Sequence, residues 1–325
     1  MKRRMFLAAT LVISSLPRML AAQSESKPVR IGWLTAQQAS SLVPYIGAFR
    51  AGLADLGYVE GRNLRIDFRY GDDTLERVPA LAEELVRLPV DLIVAQGAAV
   101  ATISQLHLSI PVVYVFSGDP VSAGLADSLA RPRGNMTGLT FMAAAFNGKR
   151  LELLREMMPA LSRVALIANP EHPGSELERA YSEEAGRRLG LAIEYFPTST
   201  YDELIRAFAA MATRPPQAIS LFADGFAVQN RQSIIEFGMS QRAPVISGWA
   251  VFAKSGALCS YGPQLSSSYR RLAHYVDRIH KGAKPADLPI EQPTQFELVL
   301  NLRTAKALNL AMSSSLIVRA DEVIE

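Results

Sequence analysis

An α/β fold of two doubly wound parallel-sheet lobes, joined by a hinge of roughly three strands, is what this 325-residue sequence predicts. Three observations carry that expectation. Short apolar runs alternate with longer amphipathic ones. The same alternation restarts near residue 146, and the tail beyond residue 262 is too small for a third domain. Strands alternating with helices build parallel sheets covered on both faces, through right-handed strand-helix-strand units.

Residues 29–34 read as a strand. Residues 42–56 read as a helix, with Phe49, Leu53 and Leu56 at helical spacing and Gly57 as its stop. Leu64, Ile66 and Phe68 alternate, giving a strand over 63–70. Helix 75–87, strand 90–95, helix 98–107 and strand 111–116 complete the first half. The second half reads as helix 149–158, strand 163–168, helix 174–189, strand 192–196 and helix 201–212. Strand 218–222, helix 228–239 and strand 244–246 follow. Between the halves, residues 131–138 (Arg-Pro-Arg-Gly-Asn-Met-Thr-Gly) are rich in turn formers and read as the exit from the first sheet.

In the tail, a long helix over 266–281 precedes a breaker-rich turn over 282–289, a strand over 294–300 and a short helix over 303–308. Such a tail reads as the chain recrossing between lobes, adding a helix to one and a strand to the other. The expected lobes are 28–138 with about 262–290, and 139–261 with about 291–325.

Composition narrows the class. At 49% hydrophobic and 20% charged residues, the chain has ample apolar content for packed cores, so intrinsic disorder is excluded. A single cysteine excludes an internal disulfide framework. That residue, Cys259, has no basic neighbour in sequence and reads as a buried structural thiol. Residues 1–22 read as a signal peptide: a basic start (Lys2, Arg3, Arg4), a largely apolar run of twelve residues over 5–16, then the small side chains Ala21 and Ala22. The twelve fall short of the roughly 20 needed to span a bilayer. Arg3-Arg4 with Met5, Phe6 and Leu7 fits the twin-arginine export pattern. Lys2, Arg3, Arg4 and Arg18 are four of the positive charges, so the formal +3 becomes −1 over the other 303 residues. A near-neutral mature chain gives no electrostatic reason to bind nucleic acid. A soluble periplasmic protein is expected.

Ligands of open parallel sheets bind beyond the carboxyl ends of the strands, where helix N-termini aim free N–H groups. The loops there supply the candidate ligand-binding residues Thr35, Gln37, Gln96, Gly97, Ala98, Ser117, Asp119, Thr140, Asn169, Asp224 and Trp249. Asp119 either meets ligand or starts a turn at Pro120, and Asn169 either meets ligand or caps the next helix. Asp224 either faces a ligand ammonium group or caps the helix that follows. Trp249 either stacks on an aromatic ligand or packs in the core or hinge. Dinucleotide, phosphate-loop, nucleophile-elbow and zinc-protease patterns are absent. The histidines His107, His172, His274 and His280 are scattered and read as surface or helix-end residues. No catalytic residue, metal site or cofactor is expected.

Residues 49–63 (Phe-Arg-Ala-Gly-Leu-Ala-Asp-Leu-Gly-Tyr-Val-Glu-Gly-Arg-Asn), 110–113, 119–121 and 128–139 form a recognisable set. So do 149–154, 260–262, 270–271 and 275–277. The most specific stretch is 281–308 (Lys-Gly-Ala-Lys-Pro-Ala-Asp-Leu-Pro-Ile-Glu-Gln-Pro-Thr-Gln-Phe-Glu-Leu-Val-Leu-Asn-Leu-Arg-Thr-Ala-Lys-Ala-Leu), followed by 315–316 and 319–324. Over essentially the whole mature chain, the sequence resembles the ABC-transporter substrate-binding protein family that includes tryptophan/tyrosine-type binding proteins. Arg133 departs from it, standing where that family has Gly. The resemblance implies a type I periplasmic-binding-protein fold with a ligand cleft between lobes. It also implies a monomer that delivers a small-molecule ligand to a membrane permease driven by an ATPase; some relatives bind aromatic amino acids. A sensory module feeding a receptor, or an enzyme on the same fold, are the alternatives.

Overall fold

The computed structural model describes residues 27–325 apart from Arg133, Met142, Ala143, Pro173 and Ala223. The expected signal peptide and the Arg133 departure therefore lie outside the described residues. The first half runs β1 (Val29–Thr35), α1 (Ala39–Asp55), β2 (Leu64–Tyr70), α2 (Val78–Arg87), β3 (Leu92–Gln96), α3 (Ala99–Gln105), β4 (Val112–Phe116) and β5 (Met136–Thr140). Then come α4 (Ala144–Met157), β6 (Arg163–Ala168), α5 (Ser175–Leu189), β7 (Ala192–Pro197), α6 (Tyr201–Thr213), β8 (Ala218–Leu221), α7 (Gly225–Gln229), α8 (Arg231–Ser240), β9 (Val245–Ser247), α9 (Ala250–Lys254) and β10 (Cys259–Pro263). The tail holds α10 (Leu265–His280), β11 (Phe296–Asn301), α11 (Leu302–Ala307), α12 (Ser314–Arg319) and β12 (Glu322–Ile324). No described helix is long and apolar enough to cross a membrane.

Two sheets result. The first has strand order β2-β1-β3-β4-β5 and is parallel throughout. The second has order β12-β11-β10-β9-β8-β6-β7, with β10 and β11 antiparallel and its other pairs parallel. The central strands β3, β4 and β6 are almost wholly apolar and buried, as strands covered on both faces must be.

The chain passes between the sheets three times: after β5, between β10 and α10, and between Glu291 and β11. Glu291 is held on the first sheet, its N–H donating to Gly138 and its carbonyl accepting from Thr140. The helix α10 returns to the first lobe. Its Tyr269, Leu272, Ala273 and Val276 pack with Leu42, Ile46, Phe49 and Leu53 of α1 over Trp33 in one buried cluster. At about 1.5–3 kcal/mol per fully buried large side chain, this late helix is indispensable to the first core.

Three strands were not expected from sequence. β5 hides behind the turn formers of 131–135 and contains Gly138, so its apolar alternation is broken. The expected lobe boundary at 138 falls inside it. β10 carries Gly262 and Pro263, and β12 is only three residues long. Residues 228–239, expected as one helix, break into α7 and α8 at Asn230. Gly138 belongs in β5 for a steric reason: φ is +155° there, and a Cβ would lie 2.0 Å from the carbonyl oxygen of Tyr114 on β4.

The second lobe encloses a buried charge. Arg150 on α4 donates through Nε to the carbonyl of Tyr261 on β10 (2.9 Å) and through Nη1 to Asn147 Oδ1. Asn147 Nδ2 in turn donates to the backbone carbonyl and Oε2 of Glu178, 3.3 Å each. The guanidinium lies against Gly248, where a Cβ would be 2.3 Å from Nη2. Burial lowers the Arg150 pKa to about 10, against the opposing pull of Glu178. The group thus stays charged at neutral pH while it props the loop that carries Trp249.

Arg150→Met should destabilise the protein by about 3–5 kcal/mol, because it strands Glu178, Asn147 and the Tyr261 carbonyl without their partner. Urea unfolding would read this as a lower midpoint at unchanged slope; a loss under about 1 kcal/mol would refute it. Gly138→Ala should cost about 2 kcal/mol or more by forcing β5 off β4, measured the same way.

Candidate ligand-binding cleft

An open parallel sheet has one place where consecutive connections leave to opposite sides, and the loops flanking it part to form a crevice. In the first sheet that place lies between β1 and β3, and in the second between β6 and β8. The loops following those four strands contribute Ala36 and Gln37, Gln96 to Ala98, Asn169, and Asp224 to Phe226. All of them line one cavity of about 330 Å³ between the lobes. Gln96 Nε2 donates to Gln37 Oε1 across the first crevice at 2.8 Å.

Of the residues expected from sequence, Gln37, Gln96, Gly97, Ala98, Ser117, Asn169, Asp224 and Trp249 line this cavity, and Thr35, Asp119 and Thr140 do not. Thr35 is buried, its Oγ1 accepting the Gln37 N–H at 3.1 Å. Asp119 accepts from Val121 N–H (2.9 Å) and Ser122 Oγ (2.8 Å), closing its own turn. Buried Thr140 donates through Oγ1 to the Gly118 carbonyl at 2.6 Å. Their polar groups are absorbed in shaping the loops.

Several lining residues carry no signal that the sequence reading used. Asp73 follows β2, whose loop went unread although the same carboxyl-end rule reaches it. The loop is tied to the one after β1 by Gly71 N–H to the Thr35 carbonyl (2.9 Å) and Asp73 N–H to the Ala36 carbonyl (2.7 Å). Asp72 and Asp73 take φ of +52° and +60°, a left-handed conformation that Asp tolerates better than most side chains. Burial pushes the Asp73 pKa up to about 6; Gln38 opposes the rise, and Asp72 and Asp224 add to it. Tyr45 comes from α1 and Tyr269 from α10, their rings stacked 5.2 Å apart.

On the opposite wall, Asp224 is 7% exposed and caps α7, its Oδ1 accepting the Ala227 N–H at 2.7 Å. Burial raises its pKa against the pull of His172, the Ala227 N–H and the Asn169 side chain. Asn169 also has a local role, accepting the Glu171 N–H at 2.9 Å. His172, expected at a surface or helix end, is instead buried and lines the cavity. Its Nε2 lies 3.4 Å from Glu178 Oε1, a charge contact rather than a directed hydrogen bond. Burial disfavours its charged form, but Glu178 and Asp224 outweigh that and raise its pKa. Trp249 packs against the cores of both lobes.

Where the lobes touch, two glycines of the second lobe let them approach closely. A Cβ on Gly174 (φ +91°) would lie 2.9 Å from Gly118 Cα, and one on Gly225 2.8 Å from Gln37 Cγ. Among the described residues that line the cavity, Asp73, Glu76, Glu171 and Asp224 are acidic and none is Lys or Arg. The chamber is therefore a partly aromatic pocket of net negative character set at the strand ends of both sheets.

The family model for ABC transporter substrate binding proteins matches residues 37–324. A tyrosine-binding protein of Clostridioides difficile (strain R20291) is 23% identical over 268 residues, covering 82% of this chain and 77% of that protein. Among solved structures, an ABC domain in complex with L-Trp from Streptococcus pneumonia superposes with a TM-score of 0.85. It is 22% identical, over 92% of this chain and all of that one. A conserved domain protein from Vibrio cholerae gives 0.83 at 21% identity, over 91% and 99% of the two chains. Two parallel-sheet lobes around a cleft, and a family match over nearly the whole described chain, lead to one conclusion: this protein belongs to the ABC transporter substrate-binding protein family, with the type I periplasmic-binding-protein fold.

Proposed function

We propose that the chain is the extracytoplasmic binding component of an ABC uptake transporter, exported to the periplasm by its N-terminal segment. Between its lobes it captures a small polar solute, best an amino acid with aromatic members foremost. The observation that carries this reading is the cavity of about 330 Å³ built from the strand ends of both sheets. The L-Trp complex and the tyrosine-binding relative support the choice of ligand class.

The ammonium group meets Asp224. The carboxylate meets the backbone N–H of Ala98 and the Ser117 hydroxyl, and the side chain lies among Tyr45, Tyr269 and Trp249. The lobe of β1–β5 and α10, and the lobe of β6–β12, move as two bodies about the three crossings. Ligand touching both stabilises the closed arrangement, which the permease and its ATPase read; no turnover is involved. Shifting the lobes from 1:99 to 99:1 closed requires about 5.5 kcal/mol of preference for the closed state. Two to four charge-assisted hydrogen bonds at about 1.5–3 kcal/mol each supply it.

A thermal-shift screen of the mature protein against the amino acids tests the reading. A ligand at a hundred times its Kd should add about 2.7 kcal/mol of stability, and scattering should record a smaller radius of gyration with the best ligand than without it. Asp224→Asn keeps an oxygen to cap α7 and removes the charge, so affinity should fall at least tenfold by calorimetry. Unchanged affinity would remove Asp224 from the site, and a screen without any stabilising amino acid would overturn the ligand class.

A further inference from the structure

The cleft also contains polar atoms that the fold leaves unpaired. Gln96, 7% exposed, commits Nε2 to Gln37, and its Oε1 has no hydrogen-bond partner among the described residues. Asp73 Oδ2 is likewise buried and unpartnered. Both atoms are acceptors, and both belong to residues lining the same cavity as Asp224. Gln37 sits at their junction. It bonds Gln96, it follows Ala36, whose carbonyl takes the Asp73 N–H, and it lies against Gly225, next in chain to Asp224. Buried acceptors without donors are costly unless something supplies the N–H groups, and a primary ammonium group carries three.

We propose that Asp73, with Gln96 Oε1 and Asp224, forms a three-acceptor cage that selects a primary ammonium group, making Asp73 a specificity-determining residue. The proposal rests on the solute-binding reading above and deepens it. Two of the acceptors belong to the first lobe and one to the second, so an ammonium held there draws the lobes together. Without it, the two carboxylates repel across the gap. With no Lys or Arg lining the cavity among the described residues, the amine carries more of the affinity than the carboxylate. The ligand class is thus primary amines, amino acids included, for which a blocked amine is the intolerable change.

The test is calorimetry of the full mature protein with a matched panel: L-tryptophan, L-tyrosine, their amides, their N-acetyl derivatives, tryptamine and tyramine. Blocking the amine should cost a hundredfold or more in affinity, and neutralising or deleting the carboxylate should cost less. Asp73→Asn, which tolerates the left-handed backbone, should weaken the amine-bearing members about tenfold to a hundredfold. Asp72→Asn is the control in the same loop, because Asp72 pairs outward with Arg77.

Wild-type affinity should fall as the pH drops through about 6, where Asp73 takes up a proton, and Asp73→Asn should flatten that fall. The groups that bear on Asp73 are Gln38 and Asp72 from its own lobe and Asp224 across the cleft, with His172 acting on Asp224. Panel members that bind equally well with the amine blocked, or an Asp73→Asn protein with unchanged affinity, would overturn the cage and leave solute binding intact. A panel with no binder, together with a screen in which no amino acid stabilises the protein, would overturn both readings.

Discussion

The strand order of each sheet is the constraint from which the rest follows. Where β1 and β3 lie side by side, and again where β6 and β8 do, consecutive connections diverge and leave their loops without a covering helix. Polar groups can occupy those gaps without being trapped in a core. Two such gaps set face to face make one chamber, and its chemistry is whatever the strand-end loops carry: amides, a few hydroxyls and carboxylates, and the aromatic rings that α1, α10 and the start of α9 bring to the rim.

That constraint also explains how much was legible in the sequence. Periodicity revealed most strands and helices, and the carboxyl-end rule led to Gln37, Gln96, Asn169 and Asp224 with no knowledge of the ligand. It failed where residue position and residue fate part. Thr35, Asp119 and Thr140 sit at or near strand ends yet bond within their own or a neighbouring loop, which depends on side-chain rotation and not on spacing. Tyr269 enters the cleft from a helix more than a hundred residues away from any first-sheet strand in sequence, guided by tertiary packing alone. Asp73 was within reach of the same rule; its unusual backbone gives no compositional sign beyond Gly71 before two aspartates. β5 and β10 escaped because Gly and Pro interrupt the apolar pattern at places where neighbouring backbone, not propensity, sets the conformation.

Electrostatically the two lobes are unlike. The second holds its charges in a chain running from Arg150 through Asn147 and Glu178 to His172 and so to Asp224, each member balanced by the next. Asp224 is therefore rigid, a cap and a link at once. On the first lobe, Asp73 stands on a strained turn with only Gln38 to offset its burial. One wall is prearranged and the other leaves its valence open, a division suited to a receptor that must hold a guest firmly yet part from it.

The late arrival of α10 has a consequence for biogenesis. The first sheet is the earliest part of the chain to leave the ribosome, yet α1 and Trp33 keep their apolar surface bare until α10, from the last fifth of the chain, docks on them. Neither lobe can finish by itself while synthesis proceeds, because the second also waits for β11. A nascent chain so built stays loosely packed until release, with the apolar faces of both lobes open until the tail arrives.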